Sequence, residues 1–301
     1  MYIDGEKDMN NILITVFTPT YNRARTLSRL WESLKKQTSY NFEWLIVDDG
    51  SNDDTRIVVD GFKKNTKEFS IRYKKKENGG KHRAINYGVS IAKGELFFIV
   101  DSDDWLPENS ISDIIYYYNA IRGDTSFAGV AGCKYDSTEK MSGTTFEGKY
   151  VDATSLERGQ LGIKGEKAEV FLTDILKKYP FPEFQNEKFL SEAIVWNKIA
   201  SDGYRLRWFN ENIYYYEYQN EGITKHLRKN YRSNPIGYLT YISNEMKYLH
   251  VKGIKKYIWC GRCIETVTGI ISRKRVQELL QIHSFEYLIS KMIFALYSLM
   301  R

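Results

Sequence analysis

Apolar and polar positions follow one another along the first third of the chain in a repeating order. Residues 12–17 form an apolar, β-branched run that predicts a strand, and the polar turn Thr18-Pro19-Thr20-Tyr21-Asn22-Arg23 follows it. Leu27, Leu30, Trp31 and Leu34 then recur at the spacing of one helix face. Residues 42–47 predict a second strand that runs into Asp48-Asp49-Gly50-Ser51, and a helix from about residue 54 presents Ile57, Val58 and Phe62. Residues 69–75 predict a third strand. Asn78-Gly79-Gly80-Lys81 then opens a helix carrying Ala84, Ile85, Val89 and Ile91, which ends at Gly94. Leu96-Phe97-Phe98-Ile99-Val100 predicts a buried fourth strand. Strand, turn and helix alternating in this way predict a doubly wound α/β sheet with parallel strands.

The rhythm changes after residue 124. Residues 127–134 predict another strand, 141–149 a Gly- and Thr-rich loop or hairpin, 189–199 a helix, and 204–218 an aromatic strand. From residue 231, apolar and basic residues alternate at helical spacing and predict two to four amphipathic helices, of which 285–299 is the most hydrophobic. The expected organisation is a domain over 1–222, divided near residue 125, and a helical extension over 223–301.

The net charge of +6 hides an asymmetry, because residues 223–301 hold 14 Lys and Arg against 4 Asp and Glu. Basic residues interleaved with Tyr, Trp, Ile and Leu suit an anionic membrane surface or a lipid pyrophosphate. No nucleic-acid motif accompanies them, so no nucleic-acid partner is expected. The 3 Cys do not make a disulfide framework, and a reducing compartment is expected. Cys260-Gly-Arg-Cys263 has redox or metal spacing but no second Cys or His pair. The start of the chain is polar and carries no secretory pattern, and no segment offers the ~20 clean apolar residues of a membrane span. A cytoplasmic location is expected, with peripheral contact on the inner face of the membrane.

Candidate chemistry concentrates at Asp101-Ser102-Asp103-Asp104, directly after the fourth strand. Clustered carboxylates repel one another and are costly to desolvate, and a divalent cation removes that cost. Mg²⁺ typically takes one or two carboxylates plus substrate phosphates. Asp104 also reads as a helix N-cap, since Pro107 follows it at the distance of a first turn. The three other polar clusters fall after successive strands, and an open α/β sheet gathers such turns at the carboxyl edge, where ligands bind.

Pro19-Thr20-Tyr21-Asn22-Arg23, Val47-Asp48-Asp49-Gly50-Ser51, Glu77-Asn78-Gly79-Gly80 with Ala84, Asn86 and Gly88, and Asp101-Ser102-Asp103-Asp104 together resemble the family-2 glycosyltransferases of GT-A fold. The resemblance implies a mixed α/β sheet flanked by helices. It implies a nucleotide-sugar-binding half at 12–125, an acceptor-binding half at 126–222, and inverting transfer from a nucleotide-diphospho-sugar, a UDP-sugar first, to a glycan or lipid-linked glycan in surface polysaccharide synthesis. Tyr21 would stack on the base and Asp49 accept from it, with Pro19, Asn78 and Ser102 lining the donor. Arg23 and Lys81 would lie near base or phosphate, Asp101 near the ribose or metal shell, and Asp103 on Mn²⁺ or Mg²⁺. Ile85 stands where the family often has Arg. Glu192, with Ser191 in place of a second acid, is the implied base that deprotonates the acceptor, and Glu166 is the other candidate. Basic Lys225, His226 and Arg228 would close over the diphosphate. A sugar nucleotidyltransferase would need a Gly-rich loop after the first strand, and 18–23 contains no Gly. A catalytically inert nucleotide- or glycan-binding protein of the same fold is the other alternative.

Overall fold

The computed structural model describes residues 12–217 and 227–300. Among these, 12–180 with 202–217 form one compact unit, and 181–201 with 227–300 form a second. The first unit is built on eight strands: β1 (Ile14–Thr20), β2 (Phe42–Asp48), β3 (Ser70–Lys75), β4 (Leu96–Ile99), β5 (Phe127–Asp136), β6 (Tyr150–Ala153), β7 (Lys167–Leu172) and β8 (Arg205–Tyr216). Its helices are α1 (Leu27–Lys35), α2 (Thr55–Asn65), α3 (Lys81–Ile91), α4 (Ser110–Asn119) and α5 (Thr173–Lys178).

The sheet order is β3-β2-β1-β4-β7-β5-β8-β6. Strands β3, β2, β1 and β4 are parallel neighbours, as the strand-helix rhythm requires. β7 runs antiparallel between β4 and β5, while β8 is parallel to β5. The carboxyl ends of β1 to β5 and of β8 therefore share one edge with the start of β7. All seven residues of β1 and of β2 are buried, which is the pattern of central strands covered on both faces. Gly88 makes the packing of α3 on β1 possible, since a Cβ there would lie 2.2 Å from the Phe17 ring.

Three local expectations are corrected. The turn after β1 starts later, because β1 stays paired with β2 up to Thr20 opposite Asp48. Pro19 is tolerated because β4 ends at Ile99, so no partner waits for the missing N–H on that side. Ile57 is exposed, and α2 instead buries Thr55, Val59 and Phe62 at one-turn spacing. Asp104 is not a helix cap, because α4 begins only at Ser110 after Asn109.

The second unit holds α6 (Ala193–Ser201), α7 (Leu227–Ser233), α8 (Pro235–Tyr248), α9 (Gly253–Val267), α10 (Arg273–Leu280) and α11 (Ser284–Leu299). Residues 181–201, expected with the sheet, group with these helices through two reciprocal caps. The buried Glu187 carboxylate accepts from Ile236 N and Gly237 N, each at 2.7 Å, at the start of α8. Asn234 Oδ1 in turn accepts from Lys188 N at 2.7 Å and Phe189 N at 3.0 Å. Cys260 and Cys263 are buried, unbridged thiols of the α9 core. Among the described residues, no helix is long and apolar enough to cross a membrane.

Glu187→Ala strips two buried N–H groups of their acceptor and should lower stability by about 2 kcal/mol, read by denaturant unfolding. Burial, reinforced by Glu211, pushes the Asp113 carboxyl of α4 up to about 6. The folded chain thus holds that proton more tightly than the unfolded one, and the group's contribution is lost as pH rises from about 4 towards 6. Asp113→Asn should raise Tm at pH 8 and leave it unchanged below pH about 4, and an equal gain at both would exclude this origin.

Candidate active site

Four turns at the carboxyl edge are laced to one another. Asn22 sits at φ 53° after β1, where its backbone N–H reaches Ser51 Oγ at 2.8 Å and its side-chain oxygen accepts from Asn52 N at 2.8 Å. Gly50 needs its φ of 90°, and a Cβ there would meet Asn78 N at 2.9 Å. Asp49 ties the second turn to the third. Its carboxylate accepts from Lys76 Nζ at 2.7 Å, Gly79 N at 2.9 Å, Gly80 N at 2.7 Å and Asn78 Nδ2 at 3.2 Å. Those four donors fill the lone-pair directions of a carboxylate, so a ligand reaches Asp49 only by displacing one of them. Asp48 accepts from Ser51 N at 2.7 Å and from the Tyr73 hydroxyl.

The acidic loop receives cations from the first and third turns. Lys81 Nζ lies 2.6 Å from Asp101 and Arg23 lies 4.0 Å from Asp103. Burial would push the Asp101 carboxyl up, but Lys81, with Lys134 and Arg23 behind it, overrides burial and holds it low. Asp103 moves the other way, pushed up by burial and by the charge of Asp101. Asp104 is pushed up to about 7 by the same two causes. Ser102 is buried between them.

Two clasps of this loop had no signature in the sequence. Tyr214 of β8 is fully buried beneath it, donates to Asp104 Oδ2 at 2.7 Å and accepts from Asp101 N at 3.0 Å. Lys134 Nζ sits 4.0 Å above the Tyr214 ring. Arg29 of α1 donates to the Asp103 carbonyl, lies 4.0 Å over the Trp105 ring and pairs with Glu217 at 2.7 Å. Both clasps join residues more than seventy positions apart, a pairing visible only in the fold.

The site residues expected from the sequence are thus placed as follows. Pro19, Arg23, Asp49, Asn78, Lys81, Asp101, Ser102 and Asp103 meet at one edge, with Tyr21 about half exposed beside them. Thr20 Oγ1 is buried there without a hydrogen-bond partner among the described residues. Glu166 stands exposed just before β7 at the same edge, its N–H on Ser142 Oγ at 3.1 Å. Glu192 belongs to the second unit, directly before α6, where its carbonyl accepts from Val195 N and Trp196 N. Arg228 pairs with Glu265 at 3.3 Å, and Lys225 and His226 lie outside the described residues.

Asp103 suits a hard divalent cation. Its carboxyl is driven towards the protonated form by burial and then by Asp101, and a cation would relieve both costs. No group of three His, Cys, Asp or Glu is preassembled for a metal among the described residues. The donor set therefore fits an ion that draws most of its oxygens from water and substrate phosphates, as Mg²⁺ and Mn²⁺ do.

The comparisons agree with this architecture. A β-1,3-glucosyltransferase of Campylobacter jejuni named for GalNAc(5)-diNAcBac-PP-undecaprenol is 26% identical over 257 residues, which is 81% of this chain and 78% of that protein. Staphylococcus aureus TarS 1-349 in complex with UDP-GlcNAc superposes with a TM-score of 0.63 at 18% identity, covering 96% of this chain and 92% of that one. The Pyrobaculum calidifontis mannosyltransferase PcManGT, in complex with GDP-Man and Mn²⁺, gives 0.58 at 16% identity over 95% and 86%. The sheet with its flanking helices is the GT-A fold of these transferases. The model of glycosyl transferase family 2 matches residues 15–180, and the chain belongs to that family and is a glycosyltransferase.

Proposed function

We infer that the chain transfers a sugar, with inversion, from a nucleotide-diphospho-sugar to a hydroxyl of a glycan or lipid-linked glycan. A UDP-sugar is the donor of this reading and Mn²⁺ or Mg²⁺ its cofactor. The observation that carries it is the convergence of Arg23, Lys81, Asp101 and Asp103 at one edge, where paired cations and carboxylates sit ready to exchange partners with a diphosphate and its metal. The UDP-GlcNAc and Mn²⁺ complexes of the structural neighbours support the donor class and the metal. The lipid-pyrophosphate name of the Campylobacter relative supports the acceptor class. Peripheral contact of 223–301 with an anionic membrane belongs to the same reading.

In this mechanism Tyr21 presents its exposed ring to the base and the unpaired Thr20 hydroxyl finds its partner on the donor. Arg23 and Lys81 turn towards the phosphates, with Pro19, Asn78 and Ser102 shaping the floor. Asp103 would hold the divalent ion, which supplies neutralisation of the leaving nucleoside diphosphate. Asp101, held ionised by Lys81, would serve the ribose or the metal shell. Glu192 is the base that takes the acceptor proton as the new bond forms opposite the leaving group. The basic residues Lys225, His226 and Arg228 complete the anion site in this reading.

The test is release of nucleoside diphosphate from a panel of nucleotide sugars with Mn²⁺, with Mg²⁺ and with EDTA. Release from one donor, abolished by EDTA, is expected; metal-independent release or none from any donor refutes the reading. Asp103→Ala should lower metal-dependent release by about two orders of magnitude or more. Glu192→Gln should leave donor binding intact and slow transfer to an acceptor by about 10²-fold or more, and normal transfer would exclude Glu192 as the base. Tyr214 acts as a positioning residue in this scheme. Tyr214→Phe should raise the Mn²⁺ concentration for half-maximal release by about tenfold, and a loss of folded protein with unchanged metal dependence would make its role structural only.

A further inference from the structure

Helix α11 is apolar over most of its length, yet only one of its sides is covered by the described residues. Ser290 is its one buried residue, and the helix seats on α9 at Gly261, where an added Cβ would come within 2.3 Å of Ser290 O and Phe294 Cβ. That close approach fixes which side faces inward. Phe285, Leu288, Met292, Leu296 and Leu299 recur at three- and four-residue spacing on the other side and are 56% to 84% exposed. A helix with a continuous apolar stripe in water lacks its partner.

Charge identifies that partner. Residues 227–300 hold 12 Lys and Arg against 4 Glu. All four carboxylates are engaged locally: Glu265 with Arg228, Glu278 with Arg275, Glu286 with Lys256, and Glu245 with the Tyr241 hydroxyl. The cations near α11 therefore keep their field. Lys256 and Glu286, 2.7 Å apart, place the start of α9 beside the start of α11, which brings exposed Lys252, Ile254 and Lys255 to the same end. Arg273 lies 4.8 Å over the Tyr287 ring, and Lys274 follows it on α10. Lys291 projects from α11 itself, at the margin of the stripe. A second copy would bring this positive field against its own like, whereas an anionic lipid surface matches both the charge and the greasy stripe.

We propose that α11 lies in the interface of an anionic membrane, with Phe285, Leu288, Met292, Leu296 and Leu299 in the acyl boundary and Lys252, Lys255, Lys274 and Lys291 at the headgroups. This rests on the reading of 223–301 as a peripheral membrane contact and gives it a surface. It is independent of the donor and the metal.

Sedimentation of the full chain with vesicles tests it, using phosphatidylcholine alone against phosphatidylcholine with phosphatidylglycerol. Binding about tenfold or more tighter to the anionic vesicles, weakening with salt, is expected. The pair Leu288→Glu and Leu296→Glu, both on the exposed side, should lower binding by about a hundredfold while Tm and donor hydrolysis stay as in the unsubstituted chain. The triple change Lys252→Gln, Lys274→Gln and Lys291→Gln should remove most of the preference for the anionic vesicles. Equal binding to both vesicles, or full binding by the leucine pair variant, overturns the proposal. So does a dimer in light scattering that the leucine pair variant separates, since the stripe would then belong to a second copy. Vesicle binding without nucleotide-sugar hydrolysis would refute the reading of the donor site and leave this surface standing; hydrolysis without vesicle binding would do the reverse.

Discussion

Asp101, Asp103 and Asp104 stand within four residues at the end of a buried strand, and their burial together with their mutual repulsion is what the surrounding side chains answer. Each is answered differently. Asp101 keeps its charge because Lys81 lies against it at 2.6 Å. Asp104 lies under the Tyr214 hydroxyl, where burial and Asp101 push it up to about 7. Asp103 is the most loosely paired of the three, with Arg23 no nearer than 4.0 Å. The loop is thus clasped along its backbone, and the Asp103 carboxylate is its least committed side chain. The neighbouring turns follow from this: Lys81 sits where it does because Asp49 pins the backbone N–H groups of Gly79 and Gly80, and Arg23 because Asn22 and Ser51 lock the turn before it.

Much of the sheet unit was legible because its signals are local. Leu27, Leu30 and Leu34 at helical spacing, the apolar run over 96–100 and the glycines at 79 and 80 each report on a few neighbouring residues, and the elements they predict are present. Spacing along the chain also delivers the four turns to one edge, since parallel strands put every strand-to-helix turn on the same side. What failed, failed for tertiary reasons. Pro19 reads as a turn residue until β4 is seen to end beside it. Ile57 reads as core until Val59 and Phe62 are seen to set the buried face of α2. Asp104 reads as a cap until a tyrosine 110 positions away claims its carboxylate.

Tyr214 and Arg29 illustrate the same limit from the other side. Neither belongs to a motif, and an aromatic strand or a helix arginine has many duties in a folded chain. Their role comes from β8 running parallel to β5, which delivers Tyr214 and Glu217 to the edge that β4 and α1 already share. The second unit was legible as helices but not in its membership. Glu187 and Asn234 bind 181–201 to the start of α8, and single buried polar bonds of that kind leave no periodic trace in a sequence.

The ion pairs around Asp101 and Asp103 also bear on the order of events in the proposed reaction. If Asp103 holds the divalent ion of the proposed reaction, diphosphate oxygens would join it in the metal shell, and the ion would be held better when the nucleotide is present. Linkage makes that dependence mutual: a metal that binds better with nucleotide must tighten the nucleotide by the same factor. The ion pairs of Lys81 with Asp101 and Arg23 with Asp103 then act as placeholders, keeping the edge neutral in the empty chain. Exchanging them for phosphate and metal replaces one set of charge pairs by another, so little net charge need be buried as the donor enters.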